Sequence, residues 1–404
     1  MPLTFEDRLR RLGMLSGTTT AAAAAVRAPS VPVDRTVPGE EVVTPFGPCV
    51  ERTSRFDGLA RHGALQLSSA RGACRKDLSV VGRLPAYTDV PPERRLYLDT
   101  ETTSLSGGAG VLVFLVGVGR FEGDDFVVHQ LFMRDPSEED AMLDRLAMFI
   151  DEADALVSFC GKSFDAPRAR DRFLFQNRPD VEAALRRLHH LDLHPTARRL
   201  FSHRLPDNRL RTYEEEELGF RRTSDLPGAE CPEAYFAYQR GTGNRIDEIM
   251  EHNLHDILSL ATLEARIAEA YATPCDARMA LAAGILAVEG SDMERARCHL
   301  VRAAADLPPL AEHLPMTACL RGAGLLKRLE EFESARRLLE KVMVAWPADL
   351  RPVEALAILH DRSLRDVRGA LSIVERGLVV AHDPTDRARL LHRHRRLRGR
   401  SVRA

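Results

Sequence analysis

Lysine is scarce in this chain: only Lys76, Lys162, Lys327 and Lys341 occur among 57 cationic residues, the rest being arginine. Against 59 acidic residues the net charge is −2, so the molecule as a whole is no electrostatic ligand for polyanions. Any such binding must come from a local patch. Tryptophan occurs once, at Trp346, and no array of aromatics suited to base stacking stands out, so nothing separates DNA from RNA as a ligand. The seven cysteines are scattered, with no Cys-x-x-Cys pair. This argues against a secreted disulfide scaffold and against a structural zinc site. The longest apolar run, Val111–Val118, is far short of the ~20 residues a membrane helix needs. The charged stretch Phe5–Arg11 leads into Thr and Ala, without the apolar core of a signal peptide. The expectation is a soluble cytoplasmic protein.

A chain of 404 residues admits two or three domains. Thr18–Pro38, rich in Thr, Ala and Pro, reads as a linker, and residues 41–90 as a few short strands. From Arg95 the pattern is regular. Strands are expected at Leu96–Thr100, Val111–Phe121 and Phe126–Phe132, with turns at Ser106–Gly108 and Glu122–Asp124. A helix follows at Ser137–Glu152, opened by Ser137-x-x-Asp140 as a capping sequence. Strand Ala155–Phe159, helix Phe164–Gln176, strand His190–Leu193 and helices at Tyr213–Leu218 and Ile246–Ala270 complete an α/β domain. Three meandering strands followed by strand–helix alternation imply a mixed five-stranded sheet with helices on both faces.

After Pro274 the sequence is helical and repetitive. Ala296, Ala335 and Ala370 occupy equivalent places thirty-nine and thirty-five residues apart, with Gly284 and Ala323 twelve residues before the first two and Pro308 and Pro347 twelve after. A small residue where helices cross and a proline where the second ends is the logic of a tetratricopeptide-like hairpin. The expected organisation is a flexible segment 1–40, a small strand-rich region 41–90, an α/β domain 91–272, an all-α tetratricopeptide-like repeat domain 276–384 and a basic tail 385–404. The tail, His392–Arg403, either holds nucleic acid or stays solvated and frayed, and fraying is favoured.

Three features carry chemistry. Asp99 and Glu101 flank Thr100 at the end of a strand, where residues two apart project to one side. Two carboxylates so placed repel each other unless solvated, protonated or bound to hard cations. Asp165, in Gly161-Lys-Ser-Phe-Asp, falls in the first turn of a helix, where an acid also serves as a cap. His252 and Asp256 lie four apart in a long helix and share a face. Each alone reads as ordinary surface chemistry.

Together, in this order within one α/β domain, the three resemble the DEDD exonuclease superfamily of ribonuclease-H-like proteins, with Asp99 and Glu101 as its first motif, Asp165 as its second and Asp256 as its third. The string Asp99-Thr-Glu-Thr-Thr-Ser-Leu-Ser-Gly-Gly108, continuing through Phe114–Gly119 to Phe132–Asp135 and Gly161–Asp165, resembles one bacterial subgroup, the YprB-type family, which is often fused to tetratricopeptide repeats. The resemblance covers about 95 to 265 strongly and the tail loosely. It implies a ribonuclease-H-like fold and 3′→5′ exonuclease activity on nucleic acid, probing single-stranded 3′ ends. It also implies two divalent ions, Mg²⁺ or Mn²⁺, on Asp99, Glu101, Asp165 and Asp256. One departure is visible: His252 stands where the superfamily carries tyrosine, and Glu251 where some members carry histidine. His252 is then the candidate that orients or deprotonates the attacking water.

Lys162 is a candidate phosphate contact or an ordinary surface lysine. Asp192 is a candidate supporting acid. His190, Asp192 and His194, if on one strand face, give a weak zinc pattern lacking a fourth ligand. Glu214–Glu217 is expected to open a solvated helix. Two rival readings remain. One is a catalytically weak scaffold that binds a protein partner through its helical repeats, and the other is an endonuclease on the same fold.

Overall fold

The computed structural model describes residues 35–104, 110–307 and 314–401, and elements are numbered over these. The linker up to residue 34, the Ser106–Gly108 turn, Pro308 and Arg403 lie outside them. The chain divides into two compact units: residues 1–78, 84–196 and 207–266, and residues 79–83, 197–206 and 267–404.

The first unit is built on a mixed sheet. Its strands are β1 (Glu40–Thr44), β2 (Gly47–Phe56), β5 (Arg95–Thr102), β6 (Val113–Glu122), β7 (Asp125–Phe132), β8 (Ala155–Ser158) and β9 (His189–Asp192). β3 (Arg61–His62) and β4 (Leu65–Gln66) form a separate small hairpin. The order across the sheet is β1-β2-β7-β6-β5-β8-β9, antiparallel up to β5, with β8 and β9 added in parallel. The five expected strands are present. The sheet has seven because β2 pairs along β7 from Val50↔Phe132 to Phe56↔Phe126 and carries β1 with it. β1 and β2 were missed as sheet members because long-range pairing leaves no local periodicity.

The helices are α1 (Ser68–Gly72), α2 (Arg75–Gly82), α3 (Glu139–Asp151), α4 (Asp165–Phe175), α5 (Pro179–Arg187), α6 (Leu193–Phe201), α7 (Leu210–Tyr213), α8 (Cys231–Arg240) and α9 (Ile246–Ala272). Ser137 does not cap α3 as the sequence suggested: it lies in a short 3-10 turn, Pro136–Glu138, that leads into the helix and is itself capped by Asp135, which accepts from the Ser137 N–H at 2.9 Å. Apolar positions of β5, β6, β7, α3 and the first turns of α9 close one core around Phe114, Phe132, Leu146 and Tyr235, with Phe114 and Tyr235 stacked at 4.1 Å. A second buried feature is ionic. The Arg95 and Glu264 side chains are both fully buried and paired at 3.1 Å, while Tyr87 and Tyr97 donate their hydroxyls to the two oxygens of Glu264.

The second unit is all-helical. Its hairpins are α10–α11 (Ala277–Glu289, Met293–Asp306), α12–α13 (Met316–Arg328, Phe332–Ala345) and α14–α15 (Arg351–Arg362, Val367–Val380), followed by α16 (Pro384–Ser401). Ala296, Ala335 and Ala370 are all fully buried, as their spacing suggests. Every hairpin turns through a non-glycine residue in the left-handed region: Ser291 at φ 61°, Glu330 at 60° and Arg365 at 57°. The tail corrects the expectation of fraying. α16 buries Leu390 and Leu397, and its Arg396 and Arg400 both bind the buried Asp361.

Candidate active site

Asp99 and Glu101 end β5, the central strand at which the sheet changes from antiparallel to parallel pairing. The register shifts there, from Glu101↔Leu115 to Thr102↔Val113, and such a bulge re-aims side chains. Both acids face α9. Asn253 of that helix, fully buried, donates its amide to Asp99 Oδ2 at 2.9 Å, and its own oxygen accepts from Gln130 at 3.0 Å. Gly117 of β6 makes this possible: a Cβ there would lie 2.3 Å from Asn253 Oδ1.

Asp165 opens α4, where a carboxylate suits the helix's positive end. It accepts from Thr100 Oγ1 at 2.6 Å, which ties it to the strand residue between the two acids. The loop that delivers it turns at Cys160, with φ 62°, and is pinned by Asp192. Asp192 accepts from the backbone N–H groups of Cys160 at 3.0 Å, Lys162 at 3.2 Å and His194 at 3.1 Å. Asp192 thus holds the loop from behind. Gly161 is pressed against Ser158, whose Oγ would lie 2.2 Å from an added Cβ.

The zinc pattern dissolves here. His194 belongs to α6 and packs its ring on Phe159, while His190 bonds to Ser158 Oγ at 2.7 Å. Burial and the charge of Lys162 hold His190 down to about 4. Lys162 itself is exposed.

Asp256 and His252 project from α9 into a charged nest that the motifs did not reveal. Arg222, with its side chain 3 % exposed, forks onto Glu214 at 2.6 and 2.9 Å, reaches Asp225 at 3.3 Å and binds Asp256 Oδ1. His252 Nδ1 lies 2.8 Å from Asp225 Oδ1, which therefore accepts from both the imidazole and the guanidinium. Arg222 Nη1 and His252 Nδ1, 3.0 Å apart, are two donors sharing that acceptor. His252 Nε2 then faces Glu101 Oε1 at 3.7 Å and Asp256 Oδ2 at 3.6 Å. Glu214 and Glu217 do not open a solvated helix; both are buried in a π-helical turn, Glu214 by Arg222 and Glu217 by Arg266.

The electrostatics follow from this crowding. Burial first, then the charges of Asp256, Asp165 and Glu101, push Asp99 well above the usual carboxylate range. Burial and the nearby Asp256 raise Glu101 to about 8 against the pull of His252. Burial raises Asp165 to about 7, with the Thr100 hydrogen bond opposing. Burial lowers His252, but Asp256, Glu101 and the Asp225 hydrogen bond outweigh it and its pKa is raised. Against the upward push of burial, the same bond and the Arg222 charge keep Asp225 low.

A conserved-domain profile of the RNase_H superfamily matches residues 96–268, which contain every one of these residues. Residues 96–268 belong to the RNase_H superfamily. This ribonuclease-H-like domain is also similar to the uncharacterized protein YprB of Bacillus subtilis (strain 168), with 37% identity over 170 residues. That match covers 41% of this chain and 40% of YprB, so the chain spans well under half the length of the relative it matches.

The ribonuclease-H-like domain therefore gathers all four acids and His252 into one neighbourhood, with Lys162 at the rim of the loop that carries Asp165. Sequence reasoning missed Arg222, Asp225 and Asn253. For Asn253 a signal existed in Gly117, a glycine inside an apolar strand that marks close approach of another group. Arg222 and Asp225 sit in an irregular segment with no motif. Among the described residues no three or more His, Cys, Asp or Glu side chains are drawn together into ready-made metal coordination, and no helix is long and apolar enough to cross a membrane.

Proposed function

We propose that the ribonuclease-H-like domain is a divalent-metal-dependent nuclease that hydrolyses phosphodiester bonds and works from 3′ ends as an exonuclease. The observation that carries this is the approach of Glu101 and Asp256 to the Nε2 of a histidine that Asp225 holds by its other nitrogen, with Asp99 near enough to Asp256, Asp165 and Glu101 for their charges to raise its pKa. The donor set fits Mg²⁺ or Mn²⁺, which take hard oxygen ligands. Asp99 is hydrogen-bonded by a neutral amide and Asp165 by a neutral hydroxyl, so neither's charge is cancelled by those partners. Asp99, Glu101 and Asp165, with Asp256 alongside, would hold the metal, which when bound makes water acidic and screens charge on the phosphate.

The chain's own residues do the rest. The Asp225 carboxylate fixes His252 with a proton on Nδ1, so Nε2 is the nitrogen that accepts a proton from the attacking water. Glu101 and Asp256, flanking Nε2, stabilise the imidazolium that forms. Asn253 and Thr100 orient the oxygens of Asp99 and Asp165. Lys162, exposed on the loop that carries Asp165, would meet a phosphate of the nucleic acid. The helical hairpins of the second unit are proposed to form a tetratricopeptide-like surface for a protein partner.

End-labelled single- and double-stranded DNA and RNA, incubated with the full chain and Mg²⁺, Mn²⁺ or EDTA, test the reading. Stepwise shortening from the 3′ end is expected, dependent on metal and abolished by Asp99→Asn and Asp256→Asn. Cleavage of substrates with blocked 3′ ends would make the enzyme an endonuclease. Absence of any cleavage by folded protein would overturn the nuclease reading in favour of a binding scaffold.

A further inference from the structure

Arg222 is held as though it were a bound cation. Its guanidinium forks onto Glu214, whose carboxylate is itself fully buried, and extends to Asp225 and Asp256. The brace continues behind Glu214. The Ser259 hydroxyl donates to Glu214 Oε1 at 2.6 Å, and with its single proton so committed it can only accept from His62 Nε2 at 2.8 Å. Burial holds His62 down to about 3, so this imidazole is neutral and bears its proton on Nε2. The small β3–β4 hairpin that carries His62 is locked to the π-helical turn by the Ala64 N–H on Leu218 O at 2.7 Å. For the guanidinium to leave, Glu214 would be stranded as a buried, unpaired carboxylate.

Because a guanidinium keeps its charge at any ordinary pH and Arg222 cannot swing into solvent cheaply, the Asp256 corner of the acid cluster already has its counter-charge. Asp99 and Asp165, bonded to an amide and a hydroxyl, do not gain one from those partners. A second dication beside Asp256 would meet a fixed positive charge at contact distance in a water-poor site. We propose that Arg222 stands in for one of the two divalent cations of the superfamily's arrangement. The centre then takes a single divalent cation, on Asp99, Glu101 and Asp165, with Asp256 serving as the anchor of Arg222. This rests on the metal-dependent reading above but not on catalysis itself.

The experiment counts ions. Mn²⁺ alone is titrated into the full chain at neutral pH, and free Mn²⁺ is followed by its electron paramagnetic resonance signal. One site per chain is expected in the wild type, and two in Arg222→Met/Glu214→Gln, which removes the guanidinium together with the carboxylate it would strand. Two sites, or none, in the wild type overturn the proposal, and this arm needs no variant to fold. One site in both proteins also overturns it, since Arg222 would then not be what excludes the second ion. One and two sites without any cleavage of nucleic acid would sustain this inference while the nuclease reading fell.

Discussion

Asn253 gives its side-chain amide to Asp99 through the space left by Gly117, which has no side chain. Gly117→Ala puts a methyl group 2.3 Å from Asn253 Oδ1, in a site also bounded by Gln130. Overpacking of this kind costs about 1–3 kcal/mol. Asn253→Ala should relieve much of that cost, so the double variant is expected to be more stable than the sum of the single losses. A double-mutant cycle by urea denaturation measures this, and strict additivity would rule out the contact as the cause.

The acid cluster sets a pH dependence. Glu101 and Asp165 are raised to about 8 and about 7, so between about pH 4 and pH 8 the folded chain binds more protons than the unfolded one. Stability without metal therefore falls as pH rises through that window, and each pH unit per proton amounts to about 1.4 kcal/mol. The raised His252 adds to the fall with the same sign. Melting of metal-free protein is expected at lower temperature at pH 8 than at pH 6, with Mn²⁺ restoring the loss at pH 8. Asp99→Asn should flatten the metal-free profile, and an unchanged slope would argue against mutual repulsion among these acids.

The buried Arg95–Glu264 pair makes a different kind of demand. Glu264→Ala leaves the Arg95 guanidinium without its carboxylate and removes the acceptor of both Tyr87 and Tyr97. Loss of one partner of a buried pair costs about 3–5 kcal/mol. Chemical denaturation should show that loss, and a change below about 1 kcal/mol would mean that water reaches the pair.

In the second unit, Glu330 is exposed and turns at φ 60°. A non-glycine residue pays about 1 kcal/mol for that conformation. Glu330→Gly is expected to stabilise the α12–α13 hairpin by up to that amount, seen as slower amide exchange across the turn. The same change at the helical Glu340 should destabilise by about 1 kcal/mol, which serves as the control.

Most of the elements could be read from local pattern, and four acids could be singled out as candidates. Strand alternation, turn residues and helical periodicity are local properties of the backbone, so β5–β9, α3, α4 and α9 were legible within a residue or two. Asp99, Glu101, Asp165 and Asp256 stood out as candidates because the order of three motifs carried a family resemblance. The repeat period was legible because identical helix crossings require a small residue at identical places, and Ala296, Ala335 and Ala370 are buried accordingly.

Tertiary structure alone decided the rest. That β1 and β2 extend the sheet, that Asp192 pins a loop through backbone N–H groups, and that α16 packs through Leu390 and Leu397 depend on pairings between distant segments. Arg222 is the clearest case. One arginine among many, in a segment without periodicity, it became part of the site because its near neighbours Glu214 and Asp225 are brought against Asp256 of α9, and a buried charge settles where counter-charges converge.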